Sequence, residues 1–123
     1  MMELKVRHYE QDWTDYKRHI LICEEGVVMI DILHTTQNRY GCKTIIWGLY
    51  VYEQHRRKGV AKQLLSMAEG IAKDNGQEIV CLEWEKPTPL WVLDWYCRMG
   101  YDEREFGDGY AAMYKTLTNR KED

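Results

Sequence analysis

The chain has 123 residues, 17 of them basic and 20 acidic, for a formal net charge of −3. That length fits one domain, expected over 1–117 with a polar tail at 118–123, and excludes a second folded unit of ordinary size. Five Trp and nine Tyr argue against disorder. No run reaches the roughly 18 apolar residues of a membrane span, and the acidic balance argues against a nucleic-acid partner.

Glu3 to Tyr9 reads as a strand. Asp12 is placed to cap a helix through Trp13, Tyr16 and Ile20, an i, i+3, i+7 set. Ile20 to Cys23 either finishes that helix or forms a strand turning at Glu24-Glu25-Gly26; the β-branched residues on both sides of Gly26 favour the hairpin. Val27 to Thr36 is a strand, Asn38 to Gly41 a turn, and Thr44 to Tyr52 a long strand, apolar on both faces and so central.

The period then changes. Gly59-Val60-Ala61 opens a helix with Val60, Leu64, Met67, Ala68, Ile71 and Ala72 on one stripe, stopped by Asn75-Gly76. Glu78 to Trp84 is a strand, and Thr88-Pro89 starts a short helix that ends at Gly100. Tyr101 to Phe106 and Gly109 to Leu117 close the chain as a hairpin. This order predicts an α/β fold: a mixed, mostly antiparallel sheet with helices on both faces.

Cys23, Cys42, Cys81 and Cys97 form no C-x-x-C pair, and His8, His19, His34 and His55 are scattered, so no zinc-type spacing is present and no metal is expected. Apolar neighbours make the cysteines small buried hydrophobes in a reducing, cytoplasmic setting.

The informative stretch is Leu49 to Ala61, where a buried strand runs through a cationic loop into a helix. Helix N-termini carry unpaired N–H groups and hold anions well. Gly59 and Ala61 remove bulk where a diphosphate would approach the backbone, and Arg56, Arg57 and Lys58 add positive charge. Neither G-x-G-x-x-G nor the P-loop pattern is present.

Arg56-x-x-Gly59-x-Ala61, within LYVYEQHRRKGVAKQLL, resembles the acetyl-CoA motif R/Q-x-x-G-x-G/A of the GCN5-related N-acetyltransferases, the GNAT superfamily. Glu53 stands where that pattern usually has proline. Trp95 to Tyr101, the opening Val6-Arg7-His8-Tyr9 with Asp12, and the final AAMYKTL resemble further family segments in the right order. The chain is short between its first strand and Val27, where the family places two helices that help form the acceptor pocket.

The resemblance implies transfer of an acetyl group from acetyl-CoA to a primary amine of a small molecule or protein, by direct attack in a ternary complex. Leu49, Tyr50 and Val51 would bond the pantetheine arm, with the Val51 N–H polarising the thioester carbonyl. Arg56, Arg57, Lys58, Gly59, Val60, Ala61 and Lys62 would surround the diphosphate, its direct donors being the N–H groups from Arg57 to Lys62. Tyr96 holds the family's tyrosine position and would protonate the leaving thiolate. Glu83, in Leu82-Glu83-Trp84, resembles the base of the ribosomal-protein acetyltransferase branch. Its spacing to Tyr96 is one residue longer than in that branch, and an ordered water is the alternative base. A GNAT-fold module that binds acyl-CoA without turnover is the competing reading. The acceptor is not legible, and the oligomeric state is open, a homodimer included.

Overall fold

The computed structural model describes residues 3–35, 41–85, 89–107 and 110–117, without the side chains of 83–85, 105–107 and 110–111. The elements are β1 (Arg7–Asp12), β2 (Tyr16–Cys23), β3 (Gly26–Leu33), β4 (Thr44–Val51), α1 (Val60–Asp74), β5 (Ile79–Glu85), α2 (Leu90–Arg98), β6 (Asp102–Gly107) and β7 (Tyr110–Thr116). They form one seven-stranded sheet in the order β1-β2-β3-β4-β5-β7-β6. Every pairing is antiparallel except β4 with β5. The expected mixed α/β architecture is present.

The N-terminus departs from expectation. The first strand begins at Arg7, and no helix follows Asp12; the chain turns through 13–15 straight into β2. Trp13 N–H donates to the Tyr16 carbonyl at 2.9 Å across that turn. The helical spacing of Tyr16 and Ile20 also fits a strand, because both fall on one face at period two. His19, Leu21 and Cys23 take the other face and are buried. Pairing with β1 on one side and β3 on the other satisfies the β2 backbone, so the strand prevails over the local pattern. Glu24 and Glu25 make the turn into β3, in keeping with the hairpin reading of 20–26. A Cβ at Gly26 would collide with the Tyr50 carbonyl oxygen, which explains glycine there.

The main core joins Leu21, Val28 and Ile30 of the hairpins, Ile46 of β4, Val60, Leu64, Leu65, Ala68 and Ala72 of α1, and Val80, Leu82 and Met113 of the C-terminal half. Leu65 takes the buried place expected of Met67, which is exposed. Trp95, Tyr96 and Met99 pack against the same cluster. Both helices therefore serve one face, rather than one helix on each. The opposite face holds a smaller cluster of Cys42, Cys81, Ala112 and Tyr114, with no helical residue in it among the described residues. Three cysteines are buried as expected, whereas Cys97 is exposed on α2.

Pro89 occupies the N-cap position of α2; the expected Thr88 cap and the Asn38–Gly41 turn lie wholly or partly outside the described residues. Among the described residues no helix is long and apolar enough to cross a membrane.

Candidate active site

β4 is paired with β3 along its length, from Ile32↔Thr44 to Gly26↔Val51. Among the described residues its other side meets β5 in register only at Ile45↔Cys81. β5 is itself fully paired with β7 from Ile79 to Glu85. Among the described residues no β4–β5 register pair follows Ile45, so the sheet gives the second half of β4 no ladder partner on its β5 side.

A bulge shapes that half. Between Val27↔Tyr50 and Met29↔Trp47 the register shifts by one residue, and Gly48 sits there at φ +67°. The extra residue changes face parity. Ile46 points to the core before the bulge, and Leu49 and Val51 pack against it after. Trp47 and Tyr50 are left on the opposite face, where Tyr50 is 51% exposed. Neither packs the sheet against its helices. The glycine inside the strand was the available signal for the bulge.

A single 3₁₀ turn, Glu53–His55, follows β4 and leads to the basic loop. Arg56 is tied back to the strand: its Nε donates to the Val51 carbonyl at 2.7 Å, and its guanidinium lies 5.2 Å from the Tyr50 ring centroid. Arg57 adopts φ +66°, the sole described non-glycine residue in that region. Gly59, at φ +82°, is the N-cap of α1. The helix has no side-chain cap and no acidic residue in its first turn. Its first backbone bond runs from Gln63 N–H to the Gly59 carbonyl, so the N–H groups of Val60, Ala61 and Lys62 have no helical acceptor. With Arg57, Lys58 and Lys62 exposed around it, this is an anion-receiving helix start.

Tyr96 lies on α2, its ring edge-on to Trp95 at 5.1 Å and to Tyr101 at 5.9 Å. Among the described residues no hydrogen bond engages its hydroxyl, and burial raises its pKa above the ordinary phenol value. The group is protonated at neutral pH and able to donate. Tyr101, by contrast, is committed: its hydroxyl donates to Glu69 at 2.7 Å, and Lys115 holds the other Glu69 oxygen at 3.1 Å. Between α1 and the end of α2, Lys62, Arg98 and Lys115 help line a cavity of about 250 Å³. Glu83 stands on β5 opposite Ala112; its side chain lies outside the described residues.

The model of the Acetyltransferase (GNAT) domain matches residues 16–103. The chain belongs to the GNAT acetyltransferase family. No curated protein matches it. Among solved structures, the PaiA N-acetyltransferase of Thermoplasma acidophilum in complex with coenzyme A is 17% identical, with a TM-score of 0.64 over 84% of this chain and 62% of that one. A Bacillus subtilis acetyltransferase in complex with CoA is 15% identical, with a TM-score of 0.65 over 93% of this chain and 100% of that one. The IAA acetyltransferase of Bacillus cereus is 15% identical, with a TM-score of 0.63 over 84% and 79%. Identities this low show the GNAT fold.

Where the family resemblance leads one to expect two helices, the chain has only the turn at 13–15. Arg18 lies between the rings of Tyr16 and Trp47, with its Cζ 5.2 and 4.7 Å from their centroids. Its Nε and NH2 bond both oxygens of Asp31 at 2.8 and 3.0 Å. Asp31 is thus engaged by Arg18, and His34 is exposed. Trp13 stacks on Tyr16 at 6.0 Å beside this group. The sequence pattern missed this aromatic–arginine stack, because its members become neighbours only through the β2–β3–β4 register.

Proposed function

We propose that the chain transfers an acetyl group from acetyl-CoA to a primary amine. The observation that carries this reading is the absence, among the described residues, of a ladder partner for β4 on its β5 side beyond Ile45, immediately before a strand end that runs through a basic loop into an uncapped helix start. An unpaired strand edge suits the amide-rich pantetheine arm, and an uncapped N-terminus suits a diphosphate. The Thermoplasma and B. subtilis relatives, both crystallised with CoA, support the same ligand.

In this reading Leu49, Tyr50 and Val51 bond the pantetheine through their backbone. The N–H groups from Arg57 to Lys62 hold the diphosphate. Arg56 braces the loop, and the Arg57, Lys58 and Lys62 side chains add charge. The Val51 N–H polarises the thioester carbonyl. The neutral amine attacks that carbonyl, Glu83 or an ordered water having taken its proton. The tetrahedral adduct collapses with cleavage of the C–S bond, Tyr96 gives its proton to the departing sulfur, and the second proton of the attacking nitrogen leaves to solvent, from which the phenolate is reprotonated.

A second reading, an acyl-CoA-binding module without turnover, is favoured by the missing acceptor-side helices. One experiment separates them: acetyl-CoA with polyamines, aminoglycosides, amino acids and peptide N-termini, with released thiol and acetylated amine both measured. Amine-dependent thiol release supports transfer; tight CoA binding without turnover on any acceptor supports the module.

A further inference from the structure

The β1–β2 hairpin, at the far edge of the sheet from the C-terminal half, gathers two imidazoles and a carboxylate on one face. His8 and Glu10 are two residues apart on β1, and His19 stands directly opposite Glu10 on β2. His8 Nε2 lies 2.9 Å from His19 Nδ1, and Glu10 Oε2 lies 4.0 Å from each of these atoms. Lys17 grips the other Glu10 oxygen, Oε1, at 3.0 Å, leaving Oε2 turned toward the imidazoles.

We propose that His8, Glu10 and His19 form a binding site for a transition-metal ion of the zinc and cobalt class, joining β1 to β2, with water completing the coordination. Two nitrogens bound about 2.0–2.1 Å from one ion stand roughly 2.9–3.4 Å apart. The present 2.9 Å already fits that span. The carboxylate must close by about half an ångström to reach it. Glu10 is half exposed, so its side chain has room to make that shift. A metal needs neutral imidazole. His19 is 2% exposed, and its Nε2 has no hydrogen-bond partner, so the fold gives a charged ring little support. Imidazole with carboxylate is the donor set of borderline ions rather than of magnesium or calcium. Three positions of the ion would be filled by the protein and the rest by water, which reaches it from the side where His8 and Glu10 are exposed.

The test uses the full chain without an affinity tag, stripped with chelator and titrated with Zn²⁺ by calorimetry and with Co²⁺ by visible absorption. One equivalent should bind, with cobalt bands of nitrogen and oxygen ligation, and Zn²⁺ should raise the melting temperature. His8→Ala and Glu10→Gln, both at exposed positions, should fold by circular dichroism and weaken binding by at least about tenfold each. No saturable binding by the native chain overturns the proposal. So does equal affinity in the folded variants, or a thiolate-to-cobalt charge-transfer band, which would move the site to the cysteines.

Discussion

Arg56 Nε donates to the carbonyl oxygen of Val51 at 2.7 Å, so the basic loop is fastened to the end of the strand that it follows. The bond spends the arginine's inner nitrogen on geometry. It fixes the distance between the unpaired edge of β4 and the start of α1, the two places where one extended ligand would have to be held at once. The Tyr50 ring beneath the guanidinium adds a cation–π contact to the same brace.

Replacing Arg56 therefore separates positioning from charge. Arg56→Ala should weaken CoA binding by roughly tenfold or more, the scale of one hydrogen bond from a charged group. Arg56→Lys keeps the charge but lacks the planar fork that reaches Val51. If the brace matters, the lysine variant should resemble alanine. Calorimetry that finds the lysine variant at native affinity would assign Arg56 to charge alone.

Gly59 marks the helix start. A Cβ there meets nothing within 4 Å, so space does not demand glycine; its φ of +82° does. Gly59→Glu adds a negative charge where a diphosphate would sit and should abolish CoA binding. Gly59→Asn tolerates the left-handed conformation and should bind within a few-fold of native. Equal, unchanged affinity in both folded variants would remove the diphosphate from this loop.

Stability should depend on pH through His19. Burial, then the charge of His8, lowers its pKa, with Lys17 acting in the same direction and Glu10 and Asp12 opposing. The unfolded imidazole titrates near 6.5, so below that value the unfolded chain takes up a proton the folded chain resists. Stability is thus full above about 6.5 and falls as pH drops toward the lower folded value. Urea midpoints measured between pH 7.5 and 5.5 should decline, and the decline should flatten in His19→Gln. An equally steep decline in that variant would place the acid sensitivity elsewhere.

What the sequence disclosed and what it hid divide by range. The strand, loop and helix from Thr44 to Asp74 were legible because each signal is local: an apolar run, a basic turn with glycine, a helical stripe. The region from Asp12 to His19 was not. Trp13, Tyr16 and Ile20 satisfy helical spacing, and only the pairing of β2 with strands on both sides decides against it. The His8–Glu10–His19 cluster was hidden for the same reason: its members are up to 11 residues apart, and the hairpin register alone joins them. The outward turn of Tyr50 depends on the bulge at Gly48, whose effect on face parity appears only when β3 is alongside.

Glu83 is the candidate base of the proposed reaction, with an ordered water as the alternative. Glu83→Gln should keep CoA affinity and lose rate by roughly 10²–10⁴-fold if the carboxylate takes the amine proton directly. The rate profile should also lose its acidic limb. A native rate and profile would leave an ordered water as the acceptor.

Tyr96 offers the sharpest test of the chemistry. Its hydroxyl is unengaged among the described residues and burial raises its pKa, so it stays protonated at neutral pH and holds no structural bond that its removal would break. Tyr96→Phe removes one oxygen and leaves the ring against Trp95 and Tyr101, so fold and CoA affinity should change little. Turnover should fall, because the thiolate must then draw its proton from water. A loss of rate alone would not distinguish a proton donor from a residue that orients the substrate. The leaving group does. An acyl donor with a more acidic thiol needs less protonation as it departs, so it should recover part of the lost rate in the Phe variant and gain little in the native enzyme. If the variant is equally slow with both donors, the phenol positions the substrate, and the proton comes from elsewhere.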